Sequence, residues 1–296
     1  MKDALVAAIR GLTPGDTRQY LNLAVVPLLR KDGRAKLERL VLEEALKEGM
    51  TVAELKDPNV PTLEISNDTG KEVMIVAGEY VVGGGQNRMV AASACIAAGY
   101  KGLLPVRCVE QRRWNPRGGG KFGYGGHTTT DLKTSARTQG EVWDGVTTIL
   151  GLTGTRSGTE DYSQVMAQKK EEFEDIAGRF PRLPDQVGLV AVIALPDRKK
   201  YALELFDDPD LMRRHYEKIL HAYAAEALPY GDTALSVKPD EVTAFLREVE
   251  SATLNLRHAA SRGEDYEVRT SNAEGSTLLS GDTTLYLNLV SAAKGR

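Results

Sequence analysis

The chain has 296 residues, 42% of them hydrophobic and 27% charged, a composition that can bury a core and excludes disorder as the dominant state. Thirty-eight basic against forty-one acidic side chains leave a formal charge of -3, so no overall field is available to hold a polyanion, and nucleic acid is not an expected partner. No apolar run reaches the roughly 18 residues that cross a bilayer, and the first residues lack the long apolar stretch of a signal peptide. The two cysteines, Cys95 and Cys108, are too few for a disulfide framework. A protein of the reducing cytoplasm with no membrane partner is the expectation.

Residues 20–110 read as strands. NLAVVPLL (22–29) is a β-branched apolar run that stops at a charged turn, and LERLVLEEALKEGM (37–50) reads either as a helix or as a strand leading into a short helix. PTLEISND (61–68) alternates and ends at Asn-Asp-Thr-Gly, after which EVMIVAGEYVV (72–82) resumes in the manner of a hairpin. VAASACIAA (90–98) and GLLPVRCVE (102–110) extend the same layer to about five or six antiparallel strands.

From Asn115 to Thr130 the chain carries six glycines and almost no aliphatic residue, which predicts a glycine-rich loop over 115–130. Residues 131–181 are helical in spacing, with Val165, Met166, Phe173 and Ile176 on one stripe and Gly178 and Pro181 closing the segment. DQVGLVAVIALPDRKKYALELF (185–206) predicts a hairpin around Pro-Asp. A helix follows, capped by Asp208 with Pro209 in its first turn, then a second over KPDEVTAFLREVESA, then three alternating strands to the C-terminus. Together these predict an α+β fold, with an antiparallel β-rich sheet or sandwich formed by N- and C-terminal strands and a helical block in the second half. It is read as a single domain over 1–296.

Two polar clusters stand out. In GEYVVGGGQNR (78–88) a strand carrying Glu79 runs into Gly83, Gly84 and Gly85 and leaves through Gln86, Asn87 and Arg88. Glycines let backbone N–H groups approach a ligand, and a guanidinium is a planar fork for phosphate or carboxylate. The spacing fits neither a Walker loop nor GxGxxG, and a glycine turn with a structural arginine explains it equally. CVEQRRW (108–114) places Glu110, Arg112, Arg113 and Trp114 at the end of another strand.

If those two strands are neighbours, Glu79 and Glu110 project at one edge. Two carboxylates together can divide acid and base roles or hold a divalent cation such as Mg²⁺ or Mn²⁺. Solvated ion pairs at strand ends are the plainer alternative. The stretch RGGGKFGYGGH (117–127) reads as a mobile lid or a disordered surface loop. The four histidines show no zinc spacing, and the strand context of Cys108 favours burial over nucleophilic chemistry.

The order NLAVVPLL, LEEAL, AGEYVVGGGQNR, PVRCVEQRRW, QVGLVAVI and LELFDDPDLMRRHYEKILHAYAAEAL resembles the prokaryotic ARG and rhodanese-phosphatase-superfamily-associated protein domain family over nearly the whole chain. That resemblance implies a setting of ADP-ribose, NAD or nucleotide metabolism and brings no established reaction with it. It carries over Glu79, Gln86, Asn87, Arg88, Glu110, Arg113 and Trp114. The expectation is a protein that binds a phosphorylated, nucleotide-like small molecule and hydrolyses it, with Glu79 and Glu110 catalytic. Gly84, Gly85, Gln86, Asn87, Arg88, Arg112, Arg113 and Trp114 would bind the ligand. The rival expectation is a non-catalytic ligand-sensing or protein-interaction module, and self-association into an oligomer is compatible with either.

Overall fold

The computed structural model describes residues 1–30, 38–114, 117–134 and 138–292, with the backbone alone at 117–119. The fold is α+β with largely antiparallel sheets, as strand patterns before and after a helical block predict. The described residues fall into two compact units: residues 1–30, 171–257 and 264–292 in one, and residues 38–114, 117–134, 138–170 and 258–263 in the other. Among the described residues no helix is long and apolar enough to cross a membrane.

The first unit is built on a large antiparallel sheet. Leu23–Leu29 pairs with Gln186–Ala194, which pairs with Lys199–Phe206, then Thr283–Ser291, Ala273–Ser280 and Gly263–Arg269. N- and C-terminal strands therefore share one sheet through the central hairpin. Every residue of Gln186–Ala194 is buried, so this strand reads as a continuous apolar run rather than an alternation. The helix Pro209–Ala227 packs on it, started by the Asp208 side chain accepting from Asp210 N. The helices Lys2–Arg10 and Pro239–Arg247 cover a core that includes Ala24, Val26, Val190, Val192 and Leu287.

The second unit is a closed barrel. Its strands run in the order Lys101–Cys108, Thr62–Asn67, Met50–Ala53, Arg117–His127, Glu79–Gly84 and Arg88–Val90, the last pairing back to the first. Closure removes the sheet edges. Val52, Leu63, Ile65, Val81, Val90, Leu104, Val106 and Phe122 fill a common core. A three-stranded sheet of Ala94–Ile96, Glu72–Ile75 and Arg39–Val41 belongs to the same unit. Arg39–Val41 leads straight into the helix Leu42–Glu48, the strand-then-helix alternative, and Gly49 ends that helix at φ 118.

Three expectations are corrected. Leu23–Leu29 does not join the strands that follow it, but lies in the first unit's sheet. Thr62–Asn67 and Glu72–Ile75 form no hairpin with each other. The apolar run 72–82 breaks at Gly78, at φ 90, so that Glu72–Ile75 and Glu79–Gly84 enter different sheets. The glycine-rich segment expected to be a loop or lid is the long barrel strand Arg117–His127.

The physical reason lies in Phe122 and Tyr124, which alternate with glycines at strand period. A Cβ on Gly125 would stand 2.2 Å from the Tyr80 ring, so glycine lets the ring lie against the strand. Register shifts between Arg117 and Phe122 and between Tyr124 and Gly126 absorb the remaining irregularity.

Candidate functional site at the barrel mouth

The turn from Gly83 to Asn87 joins Glu79–Gly84 to Arg88–Val90 and forms one end of the barrel. Its glycines are required. Gly83 sits at φ +132 and Gly84 at φ +49, and a Cβ would come 2.4 Å from Lys121 O at the first and 2.1 Å from the Phe122 ring at the second. The turn is held from below by Arg113, whose Nη1 donates to Gly84 O at 2.8 Å and whose Nη2 donates to Gly83 O at 3.1 Å.

Arg113 is itself fixed by Glu110. Nε donates to Oε1 at 2.8 Å and Nη2 lies 2.7 Å from Oε2, while Asn87 N and Thr159 Oγ1 also donate to the same carboxylate at 3.1 and 2.8 Å. Burial pushes the Glu110 carboxyl upward, but the hydrogen bonds from Arg113, Thr159 and the Asn87 backbone, with the charge of Arg113, outweigh it and hold the group below its ordinary range. Its oxygens are occupied, so Glu110 clamps the turn. Asn87 extends the clamp: Oδ1 accepts from Gly83 N at 3.0 Å and Nδ2 donates to Asp161 Oδ1 at 2.9 Å.

Arg88 is arranged otherwise. Opposite it in register lie Val81 and Cys108, and Val81 belongs to the barrel core, so the Arg88 side chain enters the barrel interior. It is fully buried. Nη1 donates to Gln86 Oε1 at a long 3.3 Å, Nη2 stands 3.6 Å from Glu54 Oε1, and Nε and Nη2 make no hydrogen bond. Glu54 Oε1 accepts from Gly85 N at 2.9 Å, whereas Oε2 is buried without a hydrogen bond.

The Trp114 ring covers the guanidinium at 5.5 Å from its centroid and is itself 55% exposed. Cys108 Sγ donates to Gln86 Oε1 at 2.9 Å. Burial pushes its thiol up to about 11, against the opposing pull of Arg88, so at neutral pH it is the inert thiol that its strand context predicts.

The expected site residues thus divide. Gly84, Gly85, Gln86, Asn87, Arg88, Glu110, Arg113 and Trp114 converge on one turn. Arg112 does not join them; it points outward, with a side chain 66% exposed and paired to Glu160 at 2.5 Å. Glu79 does not meet Glu110. It begins the strand whose far end carries the turn, five residues and about 16 Å of extended chain away. There it accepts from Val76 N at 2.8 Å and lies beside Tyr124, whose phenol is pushed well up by burial and by that carboxylate.

The expected pair of carboxylates is therefore not formed at the barrel mouth. The structural reason is that Glu79–Gly84 and Lys101–Cys108 are separated by Arg88–Val90 instead of being neighbours. Glu54, Thr159 and Asp161 were not foreseen. Glu54 had a readable signal, since it continues the inward parity of Met50 and Val52, both of the barrel core. Thr159 and Asp161 come from a loop brought in by the bridge between Glu110 and Asp161 and have no local signal.

The sequence model of the ARG and Rhodanese-Phosphatase-superfamily-associated Protein domain matches residues 11–290. The chain belongs to this family. The matched span extends over most of both units and includes every residue of the barrel mouth. No curated protein and no solved structure compared with the chain matches it.

Proposed function

We propose that this family member is a non-catalytic binding module for a phosphorylated, nucleotide-like small molecule of the ADP-ribose or NAD class, and that the barrel mouth takes the molecule's base or carboxamide. One observation carries the reading. Arg88 Nε and Nη2 and Glu54 Oε2 lie buried without hydrogen bonds, beside one another and beneath a half-exposed indole. Leaving such groups unmade costs about 1–3 kcal/mol each, more where they are charged. They ask for a planar group offering an acceptor next to a donor, as the edge of adenine or a nicotinamide carboxamide does, with a face to stack on Trp114.

A phosphate is the poorer complement. Arg113 is consumed by Glu110, Arg88 is offset by Glu54, and Asp161 adds a further negative charge at 2.9 Å from Asn87. The same contacts support the non-catalytic part of the reading, because Glu110 is saturated and Cys108 holds its proton.

Calorimetry with ADP-ribose, NAD, adenosine and inorganic phosphate, with and without Mg²⁺, tests the reading, with chromatography of the mixtures for products. Binding of the adenosine-containing compounds, none of phosphate, and no product are expected. Silence throughout would sink the proposal, phosphate binding alone would replace the base with an anion, and a product would overturn the non-catalytic part.

A further inference from the structure

A second cleft, in the first unit, has a volume of about 570 Å³ and lies among the turn carrying Arg198, the strand residue Tyr201, the helix residue Phe245, and Asn272 with Ser291. That volume is the size of small-molecule sites in general. The Tyr201 and Phe245 rings stand 5.5 Å apart at 38° and give it an apolar wall.

The charges around it are unequally committed. Lys199 Nζ lies 2.8 Å from both oxygens of Glu241 and donates to Ser236 O at 2.7 Å, and Glu248 Oε1 accepts from Asn272 Nδ2 at 2.8 Å. Asp197, at the turn, is exposed. Arg198 is different: its Nη1 is buried and makes no hydrogen bond, and Arg198 forms no ion pair among the described residues.

We infer that this cleft binds a small organic anion with a flat apolar body, its carboxylate on Arg198 and its ring against Tyr201 and Phe245. A buried guanidinium nitrogen recovers its lost hydrogen bond from an anionic oxygen more strongly than from a neutral one. The ring replaces water on an apolar wall. This site is independent of the barrel mouth, which lies in the other unit.

Benzoate, benzyl alcohol and inorganic phosphate are suitable probes, followed by calorimetry and by NMR shifts of the Phe245 and Asn272 amides in the full chain. Benzoate is expected to bind at least about tenfold more tightly than benzyl alcohol, and Arg198→Met to lose that preference with the fold intact by circular dichroism. Equal binding of benzoate and benzyl alcohol, an unchanged preference in Arg198→Met, or no shift at either amide would each overturn the inference. Phosphate binding as well as benzoate would overturn the part that requires a ring. In Arg88→Met, benzoate binding should be unchanged, which separates the two sites.

Discussion

Arg113 and Glu110 meet through contacts of 2.8 and 2.7 Å, with the remaining carboxylate capacity taken by Asn87 N and Thr159 and further guanidinium donors spent on Gly83 and Gly84. Arg88 and Glu54, at the same end of the barrel, stand 3.6 Å apart, and Nε, Nη2 and Oε2 have no hydrogen bond. Both pairs are removed from water and both put an arginine beside a glutamate. The first is closed on itself and fixes a glycine turn; the second keeps directed donors and an acceptor unspent. Burial and charge alone would class them together, and only the count of satisfied hydrogen bonds separates a structural pair from a receptive one.

If that distinction holds, the largest effect belongs to Arg113→Met. Removing one partner leaves Glu110 buried and charged and the turn carbonyls without donors, and a loss of about 3–5 kcal/mol is expected in urea unfolding. A loss below about 1 kcal/mol would put the two pairs on a par.

Acid should act through the same pair. The folded value of Glu110 is depressed, so its contribution is present above the unfolded value of about 4.3 and is lost as pH falls through the lower folded value. A carbon-13 titration of the Glu110 carboxyl should therefore give a midpoint below the ordinary range. A midpoint at or above it would mean that the closed pair is not closed.

The receptive pair should behave oppositely. The double variant Arg88→Met, Glu54→Gln exchanges two incompletely bonded charges for neutral side chains, and urea unfolding should show no loss of stability and a gain of up to about 4 kcal/mol. It should nevertheless abolish binding of adenosine. The smallest effect is that of Arg112→Ala, which removes an exposed pair with Glu160 and should move stability by less than about 0.5 kcal/mol and affinity not at all. A clear affinity loss there would extend the site to the outer surface.

Much of this arrangement was legible because it is local. Gly83 to Arg88 and Glu110 to Trp114 each occupy a few consecutive residues, and strand ends with glycine and charge are chemically distinctive. Pairing was not legible. Whether Glu79 faces Glu110 depends on whether Arg88–Val90 lies between their strands, a fact set by barrel closure and not by any neighbouring residue. Arg112 and Arg113 look alike in sequence, yet the first pairs with Glu160 at the surface and the second with buried Glu110.

The glycine-rich strand misleads for a related reason. Its apolar signal is reduced to Phe122 and Tyr124, and the space its glycines leave is filled by Tyr80 from the adjoining strand. The long hairpin 185–206, the helix begun by Asp208 and the last strands were readable because strong periodicity and turn chemistry agree there.

The most direct measurement is the proton–nitrogen NMR spectrum of the arginine Nε groups, assigned with Arg88→Lys and Arg113→Lys and recorded as adenosine is added. The Arg88 Nε–H should move from the position of an unbonded group to that of a bonded one, while the Arg113 Nε–H, already held by Glu110, stays in place. A shift of Arg113 with Arg88 unmoved, or movement of neither at saturating adenosine, would contradict the assignment of the barrel mouth as the binding site.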